Sequence, residues 1–389
     1  MLSRLLIFFS IVLSLLIYTG IQAGRLIPDQ KIVAWVLGAL FFSMALSWPF
    51  IYRSFPVAKT ARWFRVLAWT GSFSFGLWST FMILAVPVDL FHLSFFLFRK
   101  FLASNPPIPG DRFPVHQVSM ALLGISSGIA GLGFIEAVTG PMVKEVDVPI
   151  EGLPEELSGL RIVHITDFHI GPTIRCEYVE RVVRQVAELN PDLIAVTGDL
   201  ADGTPESLAR HIAPLGLLKA RLGTYFVTGN HEYYWGVESW LDKARELGFV
   251  PLVNENRIVN HNGLDILIGG VTDTSAHHFI PSHRTDPKKA ASSECASPFR
   301  ILLAHRPESY FEAEEAGFQL QLSGHTHGGQ FFPFKTLVGL AYKVQKGYYR
   351  GLNHHGNLWL YVNAGTGYWG PPNRFNVPSE ITLLRLVGA

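Results

Sequence analysis

Four long, uninterrupted apolar segments occupy the first third of the chain. They span residues 5–24, 32–52, 66–88 and 113–135, and none of them contains a lysine, arginine, aspartate or glutamate. At about 1.5 Å per residue, each is long enough to cross a hydrocarbon core about 30 Å thick. The pattern therefore predicts an N-terminal α-helical transmembrane region of about four helices within residues 1–140.

Details of this region leave alternatives open. Residues 90–102 are also apolar and predict either an interfacial helix or an extension of the third span. The first segment follows Arg4 and also has the form of a cleaved signal peptide. In the fourth segment, small residues would let a neighbouring helix approach closely. These residues include Gly124, Gly128, Gly131 and Gly133.

The hydrophobic pattern changes after residue 140. Residues 141–160 contain several prolines and glycines between acidic residues and are expected to form a linker. From residue 161 onward, short apolar runs alternate with amphipathic helical stretches, which predicts an α/β (α+β) domain over residues 161–389. The number of apolar runs predicts one large sheet or a two-sheet sandwich, covered by helices.

Composition separates the same two regions. Of the 389 residues, 32 are Lys or Arg and 31 are Asp or Glu, but only ten and four of these lie within residues 1–140. Thirteen of the 15 histidines lie after residue 140. The apolar content excludes a disordered chain, and the presence of only Cys176 and Cys295 excludes a disulfide scaffold. A net charge of +1 gives no support for a nucleic-acid partner.

The basic residues of the first region predict an orientation. The most basic short loop lies between the second and third apolar segments, and such loops tend to remain in the cytoplasm. With four crossings, the C-terminal domain is then also expected in the cytoplasm. Arg99, Lys100 and Arg112 would lie on the opposite side. The basic residues of the loop are Arg53, Lys59, Arg62 and Arg65.

Polar residues with metal-ligand chemistry follow five strand-like runs. Because ligands of open α/β sheets bind at the carboxyl ends of strands, these side chains are expected to lie together. Carboxylate, amide and imidazole ligands without thiolates suit divalent Mn, Fe, Zn or Mg. Two ions about 3.5–4 Å apart, sharing a carboxylate, would use the whole set. Its members are Asp167, His169, Asp199, Asn230, His231, His305, His325 and His327.

The order of these motifs resembles that of the calcineurin-like metallophosphoesterase superfamily. The series Asp-x-His, Gly-Asp, Gly-Asn-His-Glu, His and Gly-His-x-His occurs in order between Asp167 and His327. With the ending after residue 361, it looks like the membrane-anchored branch that contains the bacterial YkuE and YaeI proteins and the animal transmembrane protein with metallophosphoesterase domain. The resemblance implies a metallophosphoesterase domain with a central β-sandwich flanked by helices.

The resemblance also implies a role for each residue of the set. His231 would not bind metal; it would donate a proton to the leaving oxygen or stabilise the transferring phosphoryl group. Glu232 would orient a neighbouring ligand. The implied metal ligands are Asp167, His169 and His327 for one ion, Asn230, His305 and His325 for the other, and Asp199 as the bridge.

The implied function is hydrolysis of a phosphodiester or pyrophosphate bond by attack of a metal-activated hydroxide. Because the anchor keeps the domain at the bilayer, membrane lipids are expected partners and a phosphorylated lipid is an expected substrate. The resembling branch is associated with UDP-diacylglucosamine-type diphosphates, and a nucleotide or other small phosphodiester stays open. The alternative is a membrane transporter or receptor with a regulatory phosphate-sensing domain, against which the lack of ionisable residues in the apolar segments argues.

Three further features have two interpretations each. Arg306 and Arg374 are expected either to pair with a substrate phosphate or to form structural salt bridges. His277 and His278 follow a strand-like run and either face the site or lie on the surface. Residues 331–349 mix aromatic residues with lysines. This segment predicts either a lipid-side lip around the site or a strand and loop with packed aromatics.

Overall fold

Four apolar helices form the N-terminal part of the computed structural model, which describes residues 2–51, 62–102, 114–293, 297–345 and 347–389. Each is long and apolar enough to cross a membrane, which confirms the predicted helical region. Residues 52 and 113, at the ends of two predicted segments, lie outside the described residues. The helices are α1 (Leu2–Leu26), α2 (Lys31–Leu46, followed by a helical turn to Ile51), α3 (Arg62–Leu102) and α4 (Val115–Thr139).

Helix α3 is longer than a membrane span requires. Its 41 residues extend about 61 Å, roughly twice the thickness of a hydrocarbon core. Residues 90–102 belong to this helix, so they extend the third span and do not form a separate interfacial helix. Their large apolar side chains, including Phe91, Phe96 and Phe101, are exposed on several sides of the helix.

A charged pair links α1 to α3 at positions that directly follow the predicted apolar segments. Arg25 Nη1 lies 2.6 Å from Asp89 Oδ1, and Tyr18 and Gln22 each donate a hydrogen bond of 2.7 Å to Asp89 Oδ2. The predicted segments ended one residue before each member of the pair, whereas the helices continue past them. All three donors belong to α1, so the cluster fastens α1 to α3.

One glycine of α4 faces the C-terminal domain, where the sequence predicted a neighbouring helix. The carbonyl of Gly133 accepts a hydrogen bond of 3.0 Å from the N–H of Arg374. A Cβ atom at Gly133 would lie only 1.8 Å from Oδ1 of Asn373. The domain therefore packs directly on α4. The other glycines have no described atom within 4 Å of such a Cβ position; they are Gly124, Gly128 and Gly131.

The predicted linker is partly a strand. Strand β1 (Met142–Ile150) pairs in parallel with β12 (Glu380–Gly388), so residues 142–150 belong to the sheet of the C-terminal domain. Val146, Val148 and Ile150 are the more buried positions and alternate with exposed or partly exposed ones, as expected for an edge strand. The prolines and glycines that suggested a linker lie mainly at the ends of this strand.

Two six-stranded mixed sheets form the C-terminal domain and confirm the predicted sandwich. Their strand orders are β1-β12-β2-β3-β4-β5 and β10-β11-β9-β8-β7-β6. The first sheet adds β2 (Arg161–Ile165), β3 (Leu193–Val196), β4 (Thr224–Phe226) and β5 (Val250–Pro251). The second consists of β6 (Glu255–His261), β7 (Leu264–Gly270), β8 (Phe299–Leu303), β9 (Leu320–Ser323), β10 (Gly351–His355) and β11 (Leu358–Val362).

Apolar residues from both sheets pack between them, and helices cover the two outer faces. Ile162 and Ile194 flank the first sheet on opposite sides, and Ile301 belongs to the core between the sheets. Ile51 and Phe64 of the membrane region pack into the core under the outer helices, which joins the two parts of the chain. The helices are α5 (Cys176–Glu188), α6 (Pro205–Ile212), α7 (Asn230–Tyr234), α8 (Val237–Glu246), α9 (Pro287–Ala291), α10 (Tyr310–Glu315) and α11 (Phe334–Val344).

Helix α11 occupies the segment for which the sequence left a lipid-side lip or a strand and loop open. The segment is helical over residues 334–344, so the strand is not formed. Phe334, Leu337, Leu340 and Val344 are exposed and recur every three or four residues, which places them along one side of the helix. An exposed apolar stripe beside membrane helices is a feature of surfaces that contact lipid.

Candidate metal centre

The loops that follow β2, β3, β4, β8 and β9 meet at one edge of the sandwich and bring the predicted site residues together. Asp167, His169 and His327 form a first group, in which one ligand atom of each lies within 4.8 Å of the others. Nε2 of His327 is 3.4 Å from Oδ1 of Asp167 and 3.1 Å from Nε2 of His169. All three residues are buried.

A second group contains Asp199, His305 and His325. Nε2 of His305 lies 3.3 Å from Oδ2 of Asp199 and 3.1 Å from Nδ1 of His325. Two nitrogen ligands of one tetrahedral cation are about 3.3 Å apart when each bond is about 2.0–2.1 Å, so these spacings fit a shared cation. Oδ2 of Asp199 is also 3.8 Å from Nε2 of His169, which places Asp199 between the two groups.

Asn230 has an unused acceptor atom and directly precedes His231, whose N–H donates a hydrogen bond of 2.9 Å to Asp199. Oδ1 of Asn230 is buried and has no hydrogen-bond partner among the residues that the structure describes. A buried acceptor without a donor costs about 1–3 kcal/mol, and a cation bound to it would offset that cost. Carboxylate, amide and imidazole donors together suit a divalent metal ion, so the residues present fit such an ion.

The backbone at five residues of the set is left-handed, with φ between 50° and 67°. Residues other than glycine rarely adopt this conformation, and each instance costs roughly 1–3 kcal/mol. Such outliers cluster at functional sites, where the surrounding structure holds the backbone in place. Because the five residues lie at one edge of the sandwich, we infer that their left-handed backbone conformation positions the side chains of the cluster. They are Asp167, His169, Asp199, His325 and His327.

Asp202 is a residue of the site that the sequence analysis missed. Its Oδ1 lies 2.5 Å from Nδ1 of His231 and 3.2 Å from Nδ1 of His169. The other ring nitrogen of His231, Nε2, lies 3.9 Å from Oδ2 of Asp199 and therefore faces the cluster. The only signal in the sequence was a second aspartate three residues after Asp199, in the same loop.

Burial and neighbouring charges set the protonation of this cluster. Burial opposes the charge of Asp199, but the imidazoles of His305 and His231 hold its pKa well below the usual range. Burial also opposes the charge of His231, but Asp199 and Asp202 raise its pKa to about 9. For His325, burial and the neighbouring His305 lower the pKa to about 3. At neutral pH the cluster thus combines an anionic centre with both protonated and neutral imidazoles.

Glu232, which was expected to orient a neighbouring ligand, contacts the backbone of the candidate ligand Asp199. Its Oε2 accepts hydrogen bonds from the N–H of Gly229 at 2.7 Å and of Asp199 at 3.0 Å. Its Oε1 accepts from the N–H of Leu200 at 2.8 Å. This buried carboxylate therefore ties the loop after β3 to the loop after β4. It positions Asp199 and Asn230 relative to each other.

The other candidates lie outside the cluster or have structural partners. Arg374 is buried and donates hydrogen bonds to the carbonyls of Ala364, His327 and Gly367, so it connects loops and forms no salt bridge with the residues that the structure describes. Arg306 pairs with Asp273, at 2.9 Å between Nε and Oδ2. The remaining candidates are exposed in a short helical turn away from the ligand groups; they are His277 and His278.

A cavity of about 630 Å³, lined by aromatic side chains together with polar ones, opens beside the cluster. Asp202, His231 and Tyr234 line one side, and Trp48, which follows α2, lines the other. A membrane helix therefore contributes a wall of the cavity that leads to the candidate metal centre. The ring of Trp48 meets the ring of Trp369 edge to face, with centroids 5.2 Å apart.

A β-sandwich with carboxylate, amide and imidazole ligands at the strand ends of both sheets is the arrangement of a metal-dependent phosphoesterase. Residues 160–329 match the family model described as calcineurin-like phosphoesterase. The chain belongs to this family, since it is similar over nearly its whole length to a protein that is named for its metallophosphoesterase domain. It is accordingly a phosphoric ester hydrolase with a membrane region.

Two relatives carry the name transmembrane protein with metallophosphoesterase domain. The chain is 33% identical to the protein from Danio rerio over 378 residues, which cover 94% of this chain and 83% of that protein. It is 37% identical to the protein from Bos taurus over 276 residues, or 68% and 61% of the two chains. It is also 28% identical over 263 residues to the uncharacterized metallophosphoesterase YkuE of Bacillus subtilis, covering 66% and 90%. These matches confirm the resemblance inferred from the motifs.

Proposed function

We propose that this chain hydrolyses a phosphodiester or pyrophosphate bond with the help of two divalent metal ions. The observation that carries the proposal is the pair of ligand groups with Asp199 between them. When bound, divalent cations (Mn, Fe, Zn or Mg) supply an activated water as nucleophile and neutralise charge on the phosphoryl oxygens. One ion is assigned to Asp167, His169 and His327, the other to Asn230, His305 and His325, and Asp199 is assigned to both.

His231 is the proposed proton donor to the leaving oxygen. Asp202 accepts the proton of Nδ1, so in the protonated ring the second proton is on Nε2 and points toward the cluster. The carboxylates of Asp199 and Asp202 oppose the effect of burial and raise the pKa of His231, which favours the protonated ring. As the bond between phosphorus and the leaving oxygen breaks, transfer of this proton neutralises the alkoxide or phosphate that departs.

The proposed substrate is one that reaches the site from the membrane surface. Trp48, at the end of α2, forms part of the cavity beside His231, so the site opens next to a membrane helix. A phosphorylated lipid or a lipid-linked diphosphate, such as a UDP-diacylglucosamine-type molecule, satisfies this placement. Membrane lipids are then both the surroundings of the helices and the source of substrate.

We further propose that the catalytic domain lies in the cytoplasm. Ile51 and Phe64 pack into the domain core, so the helical turn after α2 and the start of α3 lie on the domain's side of the membrane. Arg62 and Arg65 lie at the start of α3 and belong to the most basic short stretch between two apolar segments, which favours the cytoplasmic side. Labelling of an introduced Asp242→Cys by a membrane-impermeant maleimide tests this: reaction only in inverted vesicles is expected, and reaction in right-side-out vesicles contradicts it.

The full chain in detergent, loaded in turn with each of the four metals, tests the hydrolase proposal. We expect about two ions per chain by elemental analysis and hydrolysis of bis(4-nitrophenyl) phosphate. Asp199→Asn should lose both bound metal and activity, because one carboxylate serves both groups. Asp242→Asn is a matched control, since Asp242 is exposed on α8 and pairs only with Arg245 among the described ion pairs. A metal-free, inert wild type would overturn the proposal.

A further inference from the structure

A second cavity, of about 380 Å³, joins the candidate metal centre to membrane helix α3. His325 and His327 line one end, and Phe75, Ser79 and Ile83 of α3 line the other. Its volume lies in the range of sites that bind small molecules. An occupant would therefore touch both the ligand groups and a membrane-spanning helix.

The polar side chains of this cavity, apart from the two histidines, are already engaged with backbone. Ser79 Oγ donates to a carbonyl of its own helix at 3.1 Å, and Thr326 Oγ1 donates to the carbonyl of Tyr349 at 2.6 Å. Gln330 donates from Nε2 to the carbonyl of Trp369 at 2.8 Å and accepts at Oε1 from its N–H at 3.0 Å. The remaining side chains are apolar or aromatic, so the cavity suits a hydrocarbon chain.

The edge-to-face pair of Trp48 and Trp369 separates this apolar cavity from the cavity that contains the polar groups of Asp202, His231 and Tyr234. Both tryptophans line both cavities, and each cavity reaches the cluster from its own side. A molecule that fills the two has a polar part, a hydrocarbon part and a linking group at the ligand residues. Such a molecule is an amphiphile whose linking group is a phosphate ester.

Entry from the bilayer is favoured by the position of α11. Phe334 lines the apolar cavity and is also exposed at the start of the apolar face of this helix. The face continues through Leu337 and Leu340. A hydrocarbon chain therefore meets apolar surface from the outside of the molecule to the ligand groups, whereas a soluble phosphate compound gains nothing from this surface.

On the basis of the phosphoesterase activity proposed above, we infer that the apolar cavity holds the hydrocarbon chain of an amphiphilic phosphate ester taken from the bilayer. The phosphorus lies at the candidate metal centre and the polar part lies beside His231. Ile83 and Phe334 determine the preference for long-chain substrates, because they line the path that the chain follows.

Two phosphodiesters that differ in one substituent test the inference: bis(4-nitrophenyl) phosphate and hexadecyl 4-nitrophenyl phosphate, with the full chain in lipid nanodiscs. Wild type should show the higher kcat/KM for the hexadecyl compound. Ile83→Trp fills the cavity and should lower the ratio of the two kcat/KM values about tenfold, the equivalent of about two methylene groups leaving an apolar site. Leu97→Trp, exposed on the same helix away from the cavity, should leave the ratio unchanged.

Phe334→Ala is a second variant, which removes an exposed ring and so does not burden folding. It should also lower the ratio, because the chain loses contact area at the mouth of the cavity. Equal kcat/KM values for the two probes in wild type, or an unchanged ratio in both variants, would overturn the inference while leaving the hydrolase proposal intact.

A binding measurement keeps the inference testable if neither probe is hydrolysed, a result that would contradict the hydrolase proposal alone. Hexadecyl phosphate with a photoreactive diazirine at the chain end should label peptides around residues 75–83 and 331–334. Unlabelled hexadecyl phosphate in excess, and Ile83→Trp, should each remove that labelling. Labelling spread evenly over the membrane helices and insensitive to both would show that the cavity does not hold the chain.

Discussion

Oδ1 of Asp202 lies 2.5 Å from Nδ1 of His231, and the same oxygen also faces Nδ1 of His169 at 3.2 Å. One carboxylate thus orients a candidate metal ligand and the candidate proton donor together. Contacts of this kind fix the ring tautomer and leave the other nitrogen for the metal or the substrate. One side chain consequently sets the position of the candidate ligand His169 relative to the candidate proton donor His231.

Replacing Asp202 by asparagine should lower kcat about 10- to 100-fold, because both rings lose their anionic partner. KM for bis(4-nitrophenyl) phosphate should change little, since Asp202 reaches the reaction through the histidines. Steady-state kinetics with metal analysis measures this. Glu206→Gln on the exposed start of α6 is the matched control. An unchanged kcat in Asp202→Asn would contradict the positioning role assigned to Asp202.

His231→Gln should reduce turnover by about 10²- to 10⁴-fold, the usual contribution of a general acid, with metal content unchanged. Metal content matters in this test because a ligand atom of His231 lies within 4.8 Å of ligand atoms of His169 and Asp199, so the three residues could hold a metal ion. Loss of one ion per chain in the variant would identify His231 as a metal ligand. His277→Gln, an exposed histidine substitution, should leave both quantities at wild-type values.

Gly133→Ala should destabilise the contact between membrane region and catalytic domain by about 1–3 kcal/mol, the usual cost of overpacking. The added methyl group meets Asn373 at a distance that no packed structure tolerates. Gly128→Ala on the same helix is the control, because its Cβ position has no described neighbour within 4 Å. Thermal unfolding of the full chain in detergent compares them, and equal midpoints would contradict the docking described for α4.

Acid should destabilise the fold through His164, a buried residue of β2 whose Nε2 lies 2.8 Å from Oγ1 of Thr197. Burial lowers its pKa to about 3, whereas the unfolded chain protonates it near pH 6.5. The unfolded state therefore binds one more proton between these values. This contribution to the free energy of unfolding is complete above about pH 6.5 and falls by about 1.4 kcal/mol per pH unit below it.

Urea unfolding of wild type and His164→Gln between pH 7 and pH 5 isolates this contribution, because groups common to both proteins cancel in the difference. The wild type should lose about 2 kcal/mol more than the variant over that range. Parallel pH profiles would show that His164 accepts a proton in the folded state.

The sequence was sufficient to predict that the candidate ligands lie together, because each of them follows a strand closely and the parallel strands of each sheet end at the same edge. Asp202 could not be assigned in this way, since its role depends on the side chains of His169 and His231 across the cluster. Apolar residues alternate with other residues in β1, at Val146, Val148 and Ile150, and this pattern could have predicted a strand. Its pairing could not be predicted, because the partner β12 lies more than two hundred residues later.

In the membrane region too, the sequence predicted the properties of single segments but not the contacts between distant ones. Apolar length predicted the four helices, because that property is local to each segment. The contact of Gly133 with Asn373 joins distant parts of the chain, and nothing in either segment indicates it. Arg25 and Asp89 became partners only because the helices run beyond their apolar cores.

Trp48 is part of the membrane region in the sequence, but its ring lines both cavities beside the candidate metal centre. A water-soluble fragment that begins at β1 would retain every candidate ligand and still lack this ring, together with the surface that α3 provides. Such a fragment would expose both cavities to solvent along one flank. Removing the anchor would therefore change how this hydrolase discriminates among substrates, and would do more than release it from the bilayer.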